Sequence, residues 1–191
     1  MIKLRIGRLR AEISPLFFAV VTYLLIFSQN GAVQAALFAA VMHELGHLCA
    51  MLMVGDLPKK LVLTPFGIKL ERKADALTTG RYAAVYISGP AVNLLLSAVF
   101  FAFGDQTGMQ TNAALGIFSL LPVGRLDGGC LLEYFLVLRF PANSDHIKNV
   151  FNISFLLPLT MAGICLLLKY GNPTLLITSA YLLAAVAVDG C

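Results

Sequence analysis

The stretch that decides the fold is residues 32–54, which read AVQAALFAAVMHELGHLCAMLMV. It is apolar over more than the roughly 20 residues that a helix needs to cross a bilayer. Its only acidic or basic residues are His43, Glu44 and His47. A segment within lipid must pair all of its backbone polar groups. The stretch is therefore predicted to be a membrane-spanning helix that carries an unusual polar cluster.

The composition of the whole chain agrees with a membrane location. Of its 191 residues, 59% are hydrophobic and only 13% are charged, and the mean hydropathy is +0.83. These values lie outside the usual balance of soluble domains. Apolar runs recur along the chain and leave no polar segment long enough for a soluble domain. We therefore predict one domain, residues 1–191, with the lipid bilayer as its surroundings.

The distribution of basic residues indicates a topology. The net charge of +4 is not taken as a sign of nucleic-acid binding, because the basic residues lie in short segments between apolar runs. They are concentrated at the N-terminus, after the second run and around the loop between the fourth and fifth runs. Two connections on the opposite side, 104–110 and 169–173, contain one lysine and no arginine. The positive-inside rule then predicts a multi-pass membrane protein with both termini in the cytoplasm. The membrane is expected to be a bacterial cell membrane.

Six spans are predicted, an even number that agrees with both termini on one side. They cover residues 13–29, 32–54, 79–103, 111–138, 148–168 and 173–188. The fourth is predicted to be broken, because it contains Pro122, Gly124, Gly128 and Gly129. Irregular backbone at membrane depth is tolerated where it is buried in protein or lines a watery cavity. The predicted fold class is an all-α membrane protein with about six transmembrane helices.

The connection between the second and third spans has a pattern of its own. Two short strand-like runs, residues 61–64 and 68–71, flank the turn-like sequence Pro65-Phe66-Gly67. A short β-hairpin and a surface-lying or re-entrant loop both fit this pattern. The sequence leaves the two open.

The sequence His43-Glu44-Leu45-Gly46-His47 is an H-E-x-x-H motif. Histidines four residues apart lie on one face of a helix, so both rings can bind one Zn²⁺ at about 2.0–2.1 Å. Glu44 is then placed to hold a water on the metal. A metal-free polar cluster is the alternative, but a charged residue at the centre of a membrane helix costs at least ~2.5–3.5 kcal/mol, so such residues mark functional sites.

A catalytic zinc of this kind has three protein ligands and one open position, so a third ligand is required. The acidic candidates in the apolar interior are few: Asp105 and Asp189 lie near span ends, and Glu133 lies close to the cytoplasmic side. Asp127 lies 12 residues before Arg139, about 18 Å into its span, at a depth similar to that of the two histidines. Depth therefore favours Asp127.

Together these motifs resemble the paired signatures of the site-2 proteases, peptidase family M50. Leu121-Pro122 followed by Leu126-Asp127-Gly128-Gly129 is similar to the family's second motif, and Ser88-Gly89-Pro90 with Asn93 is similar to the element between the two. The resemblance implies that His43, His47 and Asp127 bind zinc and that Glu44 is the catalytic acid and base. Six predicted spans, a hairpin-like loop after the second span and no inserted PDZ domain are most similar to the branch of the stage IV sporulation protein FB. That branch often adds a CBS domain, which is not expected here. Ser119 and Arg125 depart from the family's usual residues at their positions.

Two further residues are weaker site candidates. Asn93 is expected either to hold or polarise a substrate backbone, or to satisfy a neighbouring helix. Arg125 is a candidate for substrate binding because it lies two residues before Asp127. The alternative, that Arg125 has no part in the site, is equally open.

The expected activity is zinc-dependent hydrolysis of a peptide bond in or near a transmembrane segment of a membrane-protein substrate, with Glu44 as general base. A membrane metal transporter and a catalytically inactive membrane partner are the alternatives. The transporter would also need His and Asp at membrane depth. A regulatory membrane partner is left open.

Overall fold

The computed structural model describes residues 2–6, 9–13, 22, 31–55, 60–64, 67–71, 79–124, 126–171 and 173–188. The chain forms two compact units, Met1–Ile117 and Phe118–Cys191. The predicted first span, residues 13–29, falls almost entirely outside the described residues.

A four-stranded sheet lies in the first unit. Its strands are β1 (Ile2–Ile6), β2 (Leu9–Ile13), β3 (Lys60–Thr64) and β4 (Gly67–Glu71), in the order β1-β2-β3-β4. β1 and β2 are antiparallel, β2 and β3 are parallel, and β3 and β4 are antiparallel with Thr64 opposite Gly67. β3 and β4 lie in the connection between the second and third predicted spans, where the sequence left a β-hairpin and a loop as alternatives.

The helices of the first unit begin with α1 (Gly31–Val54) and α2 (Thr79–Ala102). A short connection leads from α2 to α3 (Gln106–Ser119), whose start is capped by Asp105 because the backbone N–H of Gly108 donates to Asp105 Oδ1 at 3.0 Å. α1 is followed by Gly55, whose φ of +75° suits glycine just after a helix C-terminus. The long helix expected around the polar cluster is thus present.

α1 and α2 cross closely because both have glycine at the contact. A Cβ atom added to Gly46 would lie 2.8 Å from the carbonyl oxygen of Ser88 and 3.1 Å from the Cα of Gly89. Small residues of this kind let the backbones of membrane helices approach each other. The motif residue Gly46 therefore brings the histidine-bearing face of α1 against α2.

The second unit contains α4 (Asp127–Arg139), α5 (Ser144–Tyr170) and α6 (Thr174–Val188). Its buried core consists of Val123, Leu156 and Leu182, with partly buried apolar residues around them. Residues 120–124 and 126, between α3 and α4, are not helical. The predicted fourth span is therefore two helices, α3 and α4, separated by a break.

Buried groups satisfy the backbone within this break. Gly124 has a φ of +54°, and its N–H donates to the side-chain oxygen of Asn152 on α5 at 2.9 Å. Gly129 lies so close to the break that an added Cβ would be 2.7 Å from the carbonyl oxygen of Val123. The bond from Gly124 to Asn152 is part of the internal pairing that irregular backbone needs within a membrane, and the close approach at Gly129 shows that the break is tightly packed.

Three described helices are long and apolar enough to cross a membrane: Gly31–Val54, Gly80–Ala102 and Ser144–Tyr170. Their outward side chains include Met53, Leu95 and Leu168, which are exposed although they are apolar. Such surfaces are unfavourable in water and suited to lipid. This is a membrane protein. The count of six spans stays a prediction, since one predicted span is interrupted and α6 has only 15 residues.

We expect Gly46→Ala to lower the stability of the protein, because the new methyl group would press on the carbonyl of Ser88. Overpacking of this kind costs about 1–3 kcal/mol, and the melting temperature in detergent should fall by several degrees. Gly80→Ala is the matched control, since nothing lies within 4 Å of the position of its Cβ and alanine favours the helix. Equal melting temperatures for the two variants would contradict the close crossing.

Candidate metal centre

The two motif histidines lie in the middle of α1 with their rings together. His43 is 8% exposed and His47 is 7% exposed. Their ring centroids are 4.8 Å apart with an angle of 84° between the ring planes, and their Nε2 atoms are 3.2 Å apart. The i, i+4 spacing predicted from the sequence therefore brings both rings to one point.

A fully buried amide determines which ring nitrogen of His43 carries the proton. Asn93 on α2 has an exposure of 0%, and its Nδ2 donates to the carbonyl oxygen of Ala39 and to Asn112 Oδ1, each at 3.0 Å. Both hydrogens of its amide are thereby used, and its Oδ1 faces His43 Nδ1 at 2.6 Å. Since Oδ1 can only accept, His43 Nδ1 carries the proton and donates it.

A backbone carbonyl fixes the proton of His47 in the same way. His47 Nδ1 lies 2.7 Å from the carbonyl oxygen of Val85 on α2, which can only accept a hydrogen bond. The ring fits against α2 because residue 89 is glycine. A Cβ at Gly89 would lie against Nε2 of His47 and only 2.7 Å from its Cε1.

This arrangement determines what the two Nε2 atoms can do. With one proton on each Nδ1, a neutral ring has a lone pair and no hydrogen at Nε2. The 3.2 Å contact between the two Nε2 atoms is therefore not a hydrogen bond between them. Two nitrogens bound to one tetrahedral zinc at about 2.0–2.1 Å would be about 3.3 Å apart. The donor pair fits a zinc ion in spacing and in protonation.

Glu44 follows His43 on α1, and its side chain is half-buried. It is the one carboxylate on this helix. In the H-E-x-x-H arrangement the glutamate acts as the general base beside the two ligands.

Asp127 is the first residue of α4 in the second unit, directly after the break. Its side chain is half-buried. A carboxylate in the first turn of a helix is stabilised by the positive end of the helix dipole. The next residue, Gly128, lies so near the break that an added Cβ would be 2.8 Å from the carbonyl oxygen of Leu121. The glycines thus allow the chain to turn sharply into the helix that begins with Asp127.

Asn93 was expected either to hold or polarise a substrate backbone or to satisfy a neighbouring helix. It is fully buried, and its amide hydrogens bond to Ala39 on α1 and to Asn112 on α3. These contacts fit the second alternative, and its Oδ1 also faces His43. The other weak candidate, Arg125, lies outside the described residues.

Sequence reasoning missed Asn112 and the carbonyl of Val85. A signal for Asn112 was available, because a strongly polar side chain in an apolar span calls for a partner. No sequence signal marks a backbone carbonyl as the partner of a particular histidine.

Comparison with solved structures decides the fold. The chain superposes on the site-2 protease from Methanocaldococcus jannaschii with a TM-score of 0.71 over 100% of this chain and 95% of that one, at 20% sequence identity. The chain has the site-2 protease fold. No protein-family model matches it.

Relatives in sequence agree with the site-2 protease fold. The chain is 34% identical over 110 residues, 51% of its length, to the protein named "Putative zinc metalloprotease sll0528" of Synechocystis, and covers 29% of that protein. It is 32% identical over 136 residues, 63% of its length, to "Putative zinc metalloprotease Rip3" of Mycobacterium tuberculosis, and covers 34% of it. The chain thus spans about a third of the length of the curated relatives it matches. The predicted resemblance to site-2 proteases is confirmed; the likeness to the sporulation branch stays a prediction.

We expect Gly89→Ala to weaken metal binding, because the new Cβ would displace the ring of His47. The zinc content of the purified protein, measured by atomic emission after dialysis, should fall well below that of the wild type. Gly80→Ala adds the same methyl group to the same helix in open space and should bind zinc normally. Normal zinc content in both variants would show that the ring does not depend on this contact.

Proposed function

We propose that this protein is an intramembrane zinc metalloprotease that cleaves peptide bonds in or near the transmembrane segments of other membrane proteins. The observation that carries the proposal is the pair of buried Nε2 atoms, 3.2 Å apart on an apolar helix, with both Nδ1 protons directed away from them. Buried imidazoles held in this tautomer by second partners are typical of metal ligands. The site-2 protease fold supports the same conclusion.

Three residues would hold the zinc. His43 and His47 provide Nε2 atoms, and Asp127 at the start of α4 provides a carboxylate oxygen as the third ligand, which leaves one position open. Support for Asp127 comes from its depth along the predicted span and from its place directly after irregular backbone, which is tolerated at membrane depth where it is buried in protein or lines a watery cavity. When bound, zinc acts as a Lewis acid that activates water and polarises a carbonyl oxygen.

Glu44 would move the proton during hydrolysis. Its carboxylate accepts a proton from the attacking water as the water oxygen adds to the carbonyl carbon of the peptide. The protonated Glu44 then gives that proton to the amide nitrogen as the C–N bond breaks. The products are a carboxylic acid and an amine, which exchange a proton to give a carboxylate and an ammonium group, and Glu44 is returned to its ionised form.

The apolar surroundings restrict the substrate. A bond in a transmembrane helix has its carbonyl hydrogen-bonded within the helix, so the helix must unwind before water can attack. β4 is an outer strand in the order of the sheet, and an unwound segment could pair with it by strand addition. The substrate class we propose is therefore a membrane protein with a cleavage site in or near its transmembrane segment.

The proposal includes a location. We propose a multi-pass membrane protein with both termini in the cytoplasm, on the basis of the basic connections. Its similarity to proteins of Synechocystis and Mycobacterium tuberculosis supports a bacterial cell membrane. His43 and His47 lie 11 and 7 residues before Val54, where α1 ends. The site would thus be about 10–17 Å from the cytoplasmic end of that helix.

Glu44→Gln tests the mechanism, because glutamine keeps the shape of the side chain and cannot accept the proton. Cleavage of a membrane protein co-expressed with the variant should fall at least about a hundredfold, the lower limit of what general acid–base catalysis contributes. Zinc content should stay at the wild-type level. Products are identified by comparing membrane-protein fragments in cells that carry the wild type or the variant.

Two further variants give this experiment its controls. Asp127→Ala should lose both zinc and cleavage, because it removes a ligand. Glu133→Gln is the matched control, because it makes the same change from glutamate to glutamine at a carboxylate that pairs with Lys148. This variant should keep both its zinc and its cleavage activity. Full cleavage by Glu44→Gln would reject the proteolytic mechanism, and wild-type zinc content in Asp127→Ala would remove Asp127 from the ligands.

A further inference from the structure

A second buried amide lies behind the one that contacts His43. Asn112 on α3 has an exposure of 0%. Its Nδ2 donates to the carbonyl oxygen of Gly108 at 2.9 Å, one turn earlier on the same helix. Its Oδ1 accepts from Asn93 Nδ2 at 3.0 Å. Asn112, Asn93 and His43 thus form one continuous line of hydrogen bonds across three helices.

The bond furthest from His43, between Asn112 and the carbonyl of Gly108, determines which group donates and which accepts in every hydrogen bond of this line. The carbonyl of Gly108 can only accept, so the NH₂ group of Asn112 must point towards it and the Oδ1 towards Asn93. Asn112 Oδ1 and the carbonyl oxygen of Ala39 are both acceptors, so the NH₂ group of Asn93 must point towards these two oxygens. The remaining Oδ1 of Asn93 then faces His43 and requires the proton on Nδ1.

We propose that Asn112 is a positioning residue of the metal centre, which acts through Asn93 to keep the proton of His43 on Nδ1 and the lone pair of Nε2 directed to the metal. The proposal rests on the zinc centre proposed above and adds a residue that touches neither zinc nor substrate. A residue of α3 thus influences how His43 on α1 binds the metal.

Loss of Asn112 would leave the amide of Asn93 held by one carbonyl, that of Ala39, instead of two oxygens. The free-energy difference between the two orientations of the Asn93 amide then becomes smaller, and the reversed orientation has its NH₂ group facing His43. That orientation donates to Nδ1 and shifts the His43 proton to Nε2, where it blocks metal binding. A buried hydrogen left without an acceptor also favours this rearrangement.

His47 provides a control within the same molecule. Its proton is fixed by the carbonyl of Val85, which has no part in the line from Asn112. A general loosening of the helices would disturb both histidines, whereas the proposed relay disturbs His43 alone.

Ser97 provides a control within the same helix pair. Its hydroxyl donates to the carbonyl of Met109 at 2.9 Å, so Ser97→Ala removes a contact between α2 and α3 without touching the relay. Its effect on stability shows what the loss of a hydrogen bond does to this helix pair.

The test uses the whole 191-residue chain in detergent, labelled with ¹⁵N at histidine. The wild type, Asn112→Leu and Ser97→Ala are compared. The chain has three histidines, and His146→Gln in all samples leaves only the two of interest. The imidazole ¹⁵N shifts of zinc-free protein report which nitrogen carries the proton. Zinc affinity is measured by competition with a chelator, with zinc alone as the ligand.

We expect both histidines to carry the proton on Nδ1 in the wild type and in Ser97→Ala. In Asn112→Leu, His43 should show a mixture of tautomers while His47 is unchanged. The zinc dissociation constant should rise about tenfold, at the lower end of what partners of metal ligands contribute.

If Asn112→Leu does not fold, Asn112→Thr serves instead. Its hydroxyl can bond to the carbonyl of Gly108 within the helix, but the shorter side chain does not reach Asn93, so the same changes are expected. An unaltered His43 tautomer and an unaltered zinc affinity in the variant that folds would overturn the role of Asn112. A wild type that fails to bind zinc would instead reject the metal centre itself, so the two failures are distinguishable.

Discussion

Each of two imidazole rings buried side by side in an apolar helix must place its single proton where an acceptor exists. In this protein both acceptors lie on α2, at Asn93 Oδ1 and at the carbonyl of Val85. Both protons are drawn to Nδ1 on that side, and the two Nε2 lone pairs are left close together. A cation satisfies such a pair, and zinc has the coordination length that matches it.

The packing of the first unit follows from this placement of protons. The acceptors can reach the rings only if α1 and α2 approach closely, which requires Gly46 on one helix and Gly89 on the other. The amide of Asn93 can be held in one orientation only if α3 presents an acceptor behind it, which Asn112 does. Each glycine or amide in this series makes the next contact possible.

Much of the site could be predicted from the sequence because it depends on spacing along one helix. The pairing of His43 with His47 follows from helical periodicity, and the break before Asp127 follows from Pro122, Gly124 and the glycines after them. The role of Asn93 could not be assigned, because it depends on which groups of three helices meet. Asn112 was missed for the same reason, since its partners are 19 residues away on α2 and in its own helix.

X-ray absorption at the zinc edge of the purified wild-type protein tests the central claim most directly. Two imidazole nitrogens at about 2.0–2.1 Å should be found, with oxygen at about 2.0–2.2 Å and no sulfur. A sulfur ligand at about 2.3 Å, or fewer than two imidazole nitrogens, would contradict a zinc centre built on His43 and His47.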